Sequence, residues 1–251
     1  MMKPVLALSI ASLLFTPAVK ADTLLGLYIG ADAWRTGTEG GFANSNQLQK
    51  FNFADKTQGS YYIAFEHPIP VLPNARIQHT PLTANGSTSL ASNLNLNSIT
   101  FLQGTKVNNQ VDLTSTDYIL YYELFDNSLI SLDLGINAKY IKGDVYIKDA
   151  IAGITASESV SKVLPTAYVA AIIGLPLTGL ELFANGSYMS YSDNRAYDVQ
   201  AGIAYALVDN VAIDLRLKAG YRAVNIKLDN VANLYADLDV KGAFFGVELH
   251  F

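Results

Sequence analysis

The chain contains no cysteine, so disulfide bonds, thiolate catalysis and cysteine-ligated metal sites are excluded. Charged residues are also scarce: they make up 16% of the 251 residues, whereas an average soluble domain has about 25%. After the N-terminal segment, no apolar run approaches the roughly 20 residues that a membrane helix needs. Half of the residues are nevertheless hydrophobic, so the apolar residues are plentiful but interrupted.

The first 21 residues have the pattern of a secretory signal peptide. Lys3 supplies a positive start, an apolar stretch follows over residues 5–15, and Val19 and Ala21 precede the expected cut. A buried N-terminal helix is the alternative. The mature domain is predicted to span residues 22–251. Removing the two signal-peptide lysines leaves 15 basic and 22 acidic residues, a formal charge of −7, which argues against a nucleic-acid partner.

The remaining sequence alternates apolar and polar residues with a period of two, which is typical of β-strands. Within residues 130–139 every even position is apolar, whereas Asp133, Asn137 and Lys139 lie at odd positions. Ten strands are predicted in this way, near residues 24–35, 59–67, 75–83, 114–124, 129–147, 164–174, 180–191, 195–207, 211–222 and 240–251. Eight strands, with 75–83 and 114–124 outside the wall, are the alternative.

Three features favour a closed, antiparallel, up-and-down transmembrane β-barrel over a soluble sandwich or lipocalin-like barrel. The polar face is too poor in charge for a solvated exterior. Short turns alternate with longer connections near 36–58, 84–113, 149–163 and 223–239. Aromatic residues mark both ends of the apolar face, as at two membrane interfaces. The outer belt is Tyr61, Tyr118, Tyr140, Tyr197 and Tyr221; the inner belt is Phe65, Tyr122, Tyr205 and Phe251.

Strand parity places eight acidic and six basic side chains inside the barrel, where a paired, partly hydrated network is expected. The acids are Asp32, Glu66, Asp117, Glu123, Asp133, Asp198, Asp214 and Glu248, and the bases are Arg35, Arg76, Lys139, Arg216, Lys218 and Arg222. The lumen charge network is assigned to Asp32, Asp133, Lys139, Asp214, Arg216, Lys218 and Arg222. We expect its bases to neutralise Asp133 and Asp214 and so to make the barrel rigid. A narrow channel or a small-ligand cavity, with a preference for anions, is the alternative, but no ligand-binding residue can be assigned.

Catalysis and metal binding are not expected. The three histidines, His67, His79 and His250, are not spaced as metal ligands. A proteolytic or lipid-modifying barrel enzyme is the alternative. Barrel enzymes of these kinds resemble each other in placing a catalytic histidine near the outer half or outer rim, and none of the three histidines fits that position. The aspartates of residues 226–242 do not match an EF-hand loop, so strands that extend beyond the membrane are expected there. No cofactor is predicted.

The last residues, "KGAFFGVELHF", place Phe245, Val247, Leu249 and Phe251 at alternate positions. This ending resembles the C-terminal signature of Gram-negative outer-membrane proteins, which the barrel-assembly machinery recognises during insertion. The resemblance implies that these four residues form an assembly signal. An ordinary strand that ends in an aromatic residue by chance is the alternative.

The overall layout resembles an uncharacterised family of gammaproteobacterial outer-membrane β-barrel proteins, including residues 175–188 and 195–205. The family has no assigned activity, so the resemblance implies fold and location only. We therefore expect an integral outer-membrane protein with a structural or envelope-surface role. Its expected partners are outer-membrane lipid, including lipopolysaccharide, and the assembly machinery, and it is expected to be a monomer.

Overall fold

The computed structural model describes residues 25–251 except 46, 128, 211, 232 and 233, and the predicted signal peptide lies outside the described residues. The described residues form sixteen strands: β1 Gly26–Ala43, β2 Gln49–Lys50, β3 Asn52–Phe53, β4 Lys56–Glu66, β5 Asn74–Thr80, β6 Thr83–Ser89, β7 Leu94–Leu96, β8 Ile99–Phe101, β9 Lys106–Asp112, β10 Ser115–Asp126, β11 Ile130–Asp149, β12 Thr155–Leu175, β13 Leu180–Tyr191, β14 Asn194–Asp209, β15 Asp214–Val231 and β16 Leu234–His250. Within the described residues, no helix is long and apolar enough to cross a membrane.

Ten of these strands form a closed antiparallel barrel, which confirms the predicted fold class. The hydrogen-bonded order is β10-β5-β4-β1-β16-β15-β14-β13-β12-β11, and β11 pairs with β10 to complete the ring. The eight-stranded alternative is wrong, because β5 pairs with β4 on one side and with β10 on the other. Two filled edges leave β5 no position outside the wall.

The first and last strands close the ring. β1 and β16 pair from Tyr28 opposite His250 as far as Ala43 opposite Tyr235. Beyond the last regular pair, the Phe251 amide donates to the Leu27 carbonyl at 3.0 Å, and the reciprocal bond is 3.2 Å long. The chain end is therefore part of the barrel seam.

The two ends of the barrel differ. The short-turn end carries both described chain ends and the connections β4–β5, β10–β11, β12–β13 and β14–β15; the opposite, long-loop end carries the remaining ones. At the long-loop end the strands run further than the sequence predicted. Most of residues 149–163 and 223–239 continue β11, β12, β15 and β16 rather than forming loops. In residues 223–239 this agrees with a period-two alternation, whereas residues 149–163 show no such alternation.

The predicted loop near residues 84–113 is also structured. In this segment β9 pairs with the far end of β11, β6 pairs with β9, and β7 and β8 form a separate hairpin. We call residues 82–113 the cap. Its strand β9 pairs with the part of β11 that extends past β10, and apolar side chains of the cap face the lumen.

An apolar core fills the lumen at the long-loop end. Its buried side chains come from β1, β11, β15 and β16 and from the cap, and they pack in one cluster. The cluster includes Trp34, Phe42, Leu82, Leu90, Leu94, Leu96, Phe101, Val107, Val111, Leu113, Ile141, Val145, Ile147, Val224, Ile226, Leu238, Val240 and Phe244. Trp34 and Ile147 are completely buried. Sequence reasoning did not predict this core.

The outward face of the barrel exposes large apolar side chains. Both ends of this apolar band carry exposed aromatic residues, with Tyr61, Tyr118 and Tyr221 towards the long-loop end and Phe65, Tyr122, Tyr205 and Phe251 towards the short-turn end. Tyr140 and Tyr197, also assigned to the outer belt, are partly buried. The barrel therefore presents an apolar ring, not a polar surface, over the middle of its outer wall.

Candidate functional site

The structure places the seven residues of the predicted lumen charge network on inward-facing positions. Asp32, Lys139, Lys218 and Arg222 are buried, whereas Asp133, Asp214 and Arg216 line a cavity at the short-turn end. The assignment of Arg35 to the interior is wrong. β1 continues without a change of parity, so Arg35 follows Ala33 to the outside, where it lies 3.5 Å from the exposed Asp55.

Four buried charges form a compact cluster across the lumen. The Lys139 ammonium lies 2.8 Å from Asp117 and 3.1 Å from Asp198. The Arg222 guanidinium donates to both Asp198 oxygens, at 2.8 and 2.7 Å, and to Thr80 Oγ1 at 3.2 Å. We call Asp117, Lys139, Asp198 and Arg222 the mid-lumen cluster. Its two acids and two bases balance, so its charges are paired inside the protein.

The mid-lumen cluster lies at the level of the outer aromatic belt. Each of its four residues is adjacent in sequence to a belt tyrosine: Tyr118, Tyr140, Tyr197 and Tyr221. Because neighbouring residues on a strand point to opposite faces, each tyrosine faces out where its charged neighbour faces in. On the long-loop side of the cluster, the Trp34 ring centroid lies 5.0 Å from Arg222 Cζ. Trp34 also belongs to the apolar core, so the cluster and the core are in contact.

A second group of charges lies nearer the short-turn end. Lys218 Nζ is 3.5 Å from Asp32 and 3.7 Å from Glu248, and Arg216 is 3.3 Å from Glu248 and 3.7 Å from Glu181. Tyr62 donates to Glu248 and accepts a hydrogen bond from Lys218. Glu248 therefore forms ion pairs with both Arg216 and Lys218 of β15. No sequence motif identifies Glu248 as the shared partner.

The bases do not make the pairs that were expected from the sequence. Asp214 lies 3.3 Å from His250 Nδ1, and the Oδ1 atom of Asp133 is buried without a hydrogen-bond partner among the described residues. The reason is the barrel register. It places Asp117 opposite Lys139 and Glu248 opposite Arg216, and barrel closure brings Asp198 of β14 to both Lys139 and Arg222.

A cavity of about 390 Å³ occupies the lumen at the short-turn end. It reaches the rim at Asn127, Leu129 and Gly174 and extends inwards to Tyr62 and Lys218. We call this cavity the vestibule. The vestibule lies on the short-turn side of the mid-lumen cluster, and the apolar core lies on the long-loop side.

The histidines lie apart from one another. His67 is at the short-turn end, where its Nδ1 accepts the amide of Ile69 at 3.2 Å. His79 faces outward and bonds Thr116 at 2.9 Å, while His250 stacks on Tyr28 at a centroid distance of 4.1 Å. No group of three or more His, Asp or Glu side chains in the described part of the chain could hold a metal ion. In the 226–242 segment, Asp237 and Asp239 accept hydrogen bonds from Asn225.

The four residues of the predicted C-terminal assembly signal share the outward face of β16. Phe245, Val247 and Phe251 are exposed, and Leu249 is partly buried between Ile29 of β1 and Leu215 of β15. They form part of the apolar outer wall at the seam. The structure gives their place in the barrel, while their recognition during insertion stays a prediction.

Comparison with known proteins finds similarity in solved structures alone. No protein-family model matches the chain, and no curated protein matches it. The outer membrane protease OmpT from Escherichia coli is 11% identical over 90% of this chain and 96% of that chain, with a TM-score of 0.47. The transport unit of the E. coli autotransporter AIDA-I is 10% identical over 94% of this chain and 93% of that chain, with a TM-score of 0.42. Neisserial surface protein A is 12% identical over 90% of this chain and 96% of that chain, with a TM-score of 0.29. Because the sequence identities and TM-scores are this low, the similarity does not indicate an activity for this chain.

Proposed function

We propose that this chain is an integral protein of the bacterial outer membrane, with a structural or envelope-surface role and no catalytic activity. The observation that carries the proposal is the apolar core that the cap and the extended strands build inside the long-loop end of the lumen. A conducting pore needs a continuous hydrated path through the lumen. Here buried apolar side chains from opposite walls fill the long-loop end, where that path would run.

The outer wall supports the membrane location. Exposed apolar side chains such as Ile136, Val169 and Ile203 would face water in a soluble barrel, at a cost of about 25 cal/mol for each Å² of apolar surface. In hydrocarbon the same surface is favourable, and closure of the ten-stranded ring pairs the strand edges in the part of the barrel that carries this apolar band. In this orientation the short turns face the periplasm and the cap faces outward.

The partners follow from this placement. Outer-membrane lipid, including lipopolysaccharide on the outer leaflet, would cover the apolar band, and the assembly machinery would recognise the C-terminal signal that ends at Phe251. The barrel would be a monomer, since closure completes its hydrogen bonding without a second copy. Migration of the unboiled and boiled protein on a gel, in the outer-membrane fraction, tests closure and location together.

Conductance in planar bilayers tests the closed lumen against the channel alternative. Thr80 pairs directly with Ser115, so a two-residue Asn-Gly turn in place of residues 81–114 would reconnect β5 to β10 and remove the cap. The wild-type protein is expected to show no steady conductance. The capless variant keeps the mid-lumen cluster across the lumen, so conductance of this variant alone would show that the cluster admits water and that the cap closes the pore. Steady conductance of the wild-type protein would overturn the proposal and favour a narrow channel.

The absence of catalysis is tested separately. His250 and Asp214 form a histidine–carboxylate pair at the rim of the vestibule. Purified outer membranes that contain the wild-type protein are expected to show unaltered lipid A and uncleaved test peptides. Lipid A modification or peptide cleavage that disappears with His250→Ala would contradict this part of the proposal.

A further inference from the structure

The turns at the short-turn end carry exposed apolar side chains. The four connections β4–β5, β10–β11, β12–β13 and β14–β15 contain no lysine or arginine. Six exposed aliphatic residues lie in these connections or at the strand ends beside them: Val71, Leu72, Leu124, Leu129, Leu177 and Leu207. We call these six residues the collar. The collar lies beyond the inner aromatic belt, on the side of the barrel that carries the short turns.

The opposite end of the barrel is polar at the corresponding positions. Beyond Tyr140 of the outer belt, the next outward residues of β11 are Lys142 and Asp144, and their partners on β12 are Ser161 and Ser159. These side chains suit contact with water. The apolar collar is therefore not a general consequence of lying outside an aromatic belt.

The strands β12 and β13 show that the collar continues the apolar band of the outer wall. Leu175 pairs with Leu180, and Leu180 pairs with Tyr205 of the inner belt. Leu177 follows Leu175 by two residues, just past this row. Only Pro176 separates Leu177 from the membrane-facing wall.

The strand β10 and the β4–β5 turn show the same continuity. Leu124 follows Tyr122 of the inner belt by two residues, and both side chains are exposed. The Tyr122 hydroxyl donates to the Val71 carbonyl at 2.9 Å. Because Tyr122 faces outward, this hydrogen bond holds the β4–β5 turn beside the outer wall at the level of the belt.

Leu177 has a strained backbone. The Thr178 amide donates to the Leu175 carbonyl at 3.3 Å, which closes a four-residue turn with Leu177 in the third position. The φ of Leu177 is +66°, a value for which glycine or asparagine is usual, because the side chain of an L-residue crowds the backbone there. The leucine side chain is nevertheless fully exposed, so packing within the protein does not account for it. An outlier of this kind points to a contact with something outside the protein.

The collar extends around most of the rim. Its residues belong to the strands β4, β5, β10, β11, β12, β13 and β14 or to the turns between them, and these are consecutive in the ring of ten. A protein that docks on one side of the rim would meet one or two of these turns, whereas lipid surrounds a barrel and meets all of them. The distribution of the collar therefore favours lipid as its partner.

We propose that the short turns are immersed in the inner leaflet of the outer membrane, where phospholipid covers the collar. This proposal rests on the proposed membrane location and extends the lipid contact past the inner aromatic belt. Aliphatic side chains gain free energy on leaving water, and at Leu177 this contact offsets the strain of the turn. The collar fixes the depth of the barrel, with the mouth of the vestibule at the level of the lipid headgroups.

The absence of natural cysteine allows the depth of the turn to be measured with one probe. Leu177→Cys gives the chain its single thiol, which is labelled with nitrobenzoxadiazole. The folded protein is placed in phosphatidylcholine vesicles, part of whose lipid carries a spin label near the carbonyl end of the acyl chain. Leu182→Cys, on the exposed outer face of β13, is the reference in lipid, and Ser131→Cys, in the lining of the vestibule, is the matched position inside the same end.

The label at Leu177→Cys is expected to be quenched by the spin-labelled lipid to the same extent as at Leu182→Cys, and to be protected from aqueous iodide. The label at Ser131→Cys is expected to show the reverse. Iodide quenching without lipid quenching at Leu177→Cys would overturn the proposal and leave the collar for a periplasmic protein. Protection from both quenchers that grows with the protein-to-lipid ratio would also overturn it, because a second copy would then cover the collar.

A substitution without any label tests the same point by its sign. Asparagine tolerates a positive φ better than leucine does, so Leu177→Asn would raise the urea midpoint of unfolding if the turn lay in water. In vesicles it is expected to lower the midpoint, because the turn loses its apolar contact with lipid. Ser192→Asn, at a φ of 53° in the β13–β14 turn of the long-loop end, is the matched control and is expected to raise the midpoint or leave it unchanged.

Failure of this proposal is distinguishable from failure of the proposed function. The heat-modifiable gel shift verifies that each variant folds. A midpoint that rises or does not change for Leu177→Asn, with normal lipid quenching at Leu182→Cys, would overturn the immersed collar alone. Absence of lipid quenching at Leu182→Cys would overturn the membrane location and the collar together.

Discussion

Replacing Asp198 with asparagine is expected to lower the free energy of unfolding by about 3–5 kcal/mol, because it leaves buried positive charge without its partner. Asp198 contacts two cations, Arg222 at 2.7 Å and Lys139 at 3.1 Å. After the change, Lys139 retains Asp117, whereas the Arg222 guanidinium keeps the Thr80 hydroxyl and the Trp34 ring but loses the carboxylate that it contacts directly. The Arg222 side chain is 2% exposed, so water cannot replace the lost carboxylate without opening the barrel.

The measurement is denaturant unfolding of the detergent-solubilised protein, followed by tryptophan fluorescence. The chain has one tryptophan, Trp34, and it lies beside the mid-lumen cluster, so its emission reports on this part of the lumen. A matched control is Asp55→Asn, which removes the acid of the Arg35–Asp55 pair, where both side chains are more than half exposed. That change is expected to cost at most about 1 kcal/mol.

A second substitution separates the orphaned charge from other effects. Adding Arg222→Met to Asp198→Asn removes the unpaired cation and is expected to recover most of the lost stability, since apolar replacements of buried pairs are frequently neutral. If Asp198→Asn costs no more than Asp55→Asn, the mid-lumen charges are screened by water. The argument that they form a dry layer beneath the apolar core would then fail.

Two further predictions concern the core and the chain end. Ile147→Ala, at a completely buried position in the apolar core, is expected to cost about 2–5 kcal/mol in the same unfolding experiment; a cost below about 1 kcal/mol would show that this part of the lumen is loosely packed or wet. Phe251→Ala is expected to reduce the amount of folded protein in the outer-membrane fraction, while the inserted barrel keeps its backbone bonds to Leu27. Tyr205→Ala, at the same inner belt but within the chain, is the control for Phe251→Ala, and an equal loss for both would argue against a terminal assembly signal.

Much of the wall follows from the sequence, because the side chains of a strand alternate between two environments. Alternation predicted ten strands and the inward position of Asp32, Lys139 and Arg222. The same rule, applied consistently, places Arg35 outside, since it shares its parity with Ala33. The extended outer strands could also have been predicted: in residues 234–240 every even position is apolar, as it is at 224, 226 and 228.

The cap and the vestibule depend on contacts that no local pattern specifies. Leu90, Leu94 and Phe101 occur in a stretch rich in polar residues, and their burial depends on the pairing of β9 with the far end of β11. A β-bulge in β10 after Glu123 reverses the direction of Asp126 without any proline or glycine to signal it. Which acid meets which base was likewise set by the register, and here the sequence-based pairing was wrong.

Sequence alone determined that this protein has two-faced strands, an apolar exterior, a sparsely charged interior and a terminal strand that can close a ring, since each of these follows from the identity of alternate residues. Tertiary structure alone decided that the ring is filled at one end and open at the other. That difference arises from barrel closure and strand register, which bring residues more than a hundred positions apart, such as Thr80 and Arg222, into contact across the lumen. Local alternation fixes which way a side chain points, but only closure fixes what it meets.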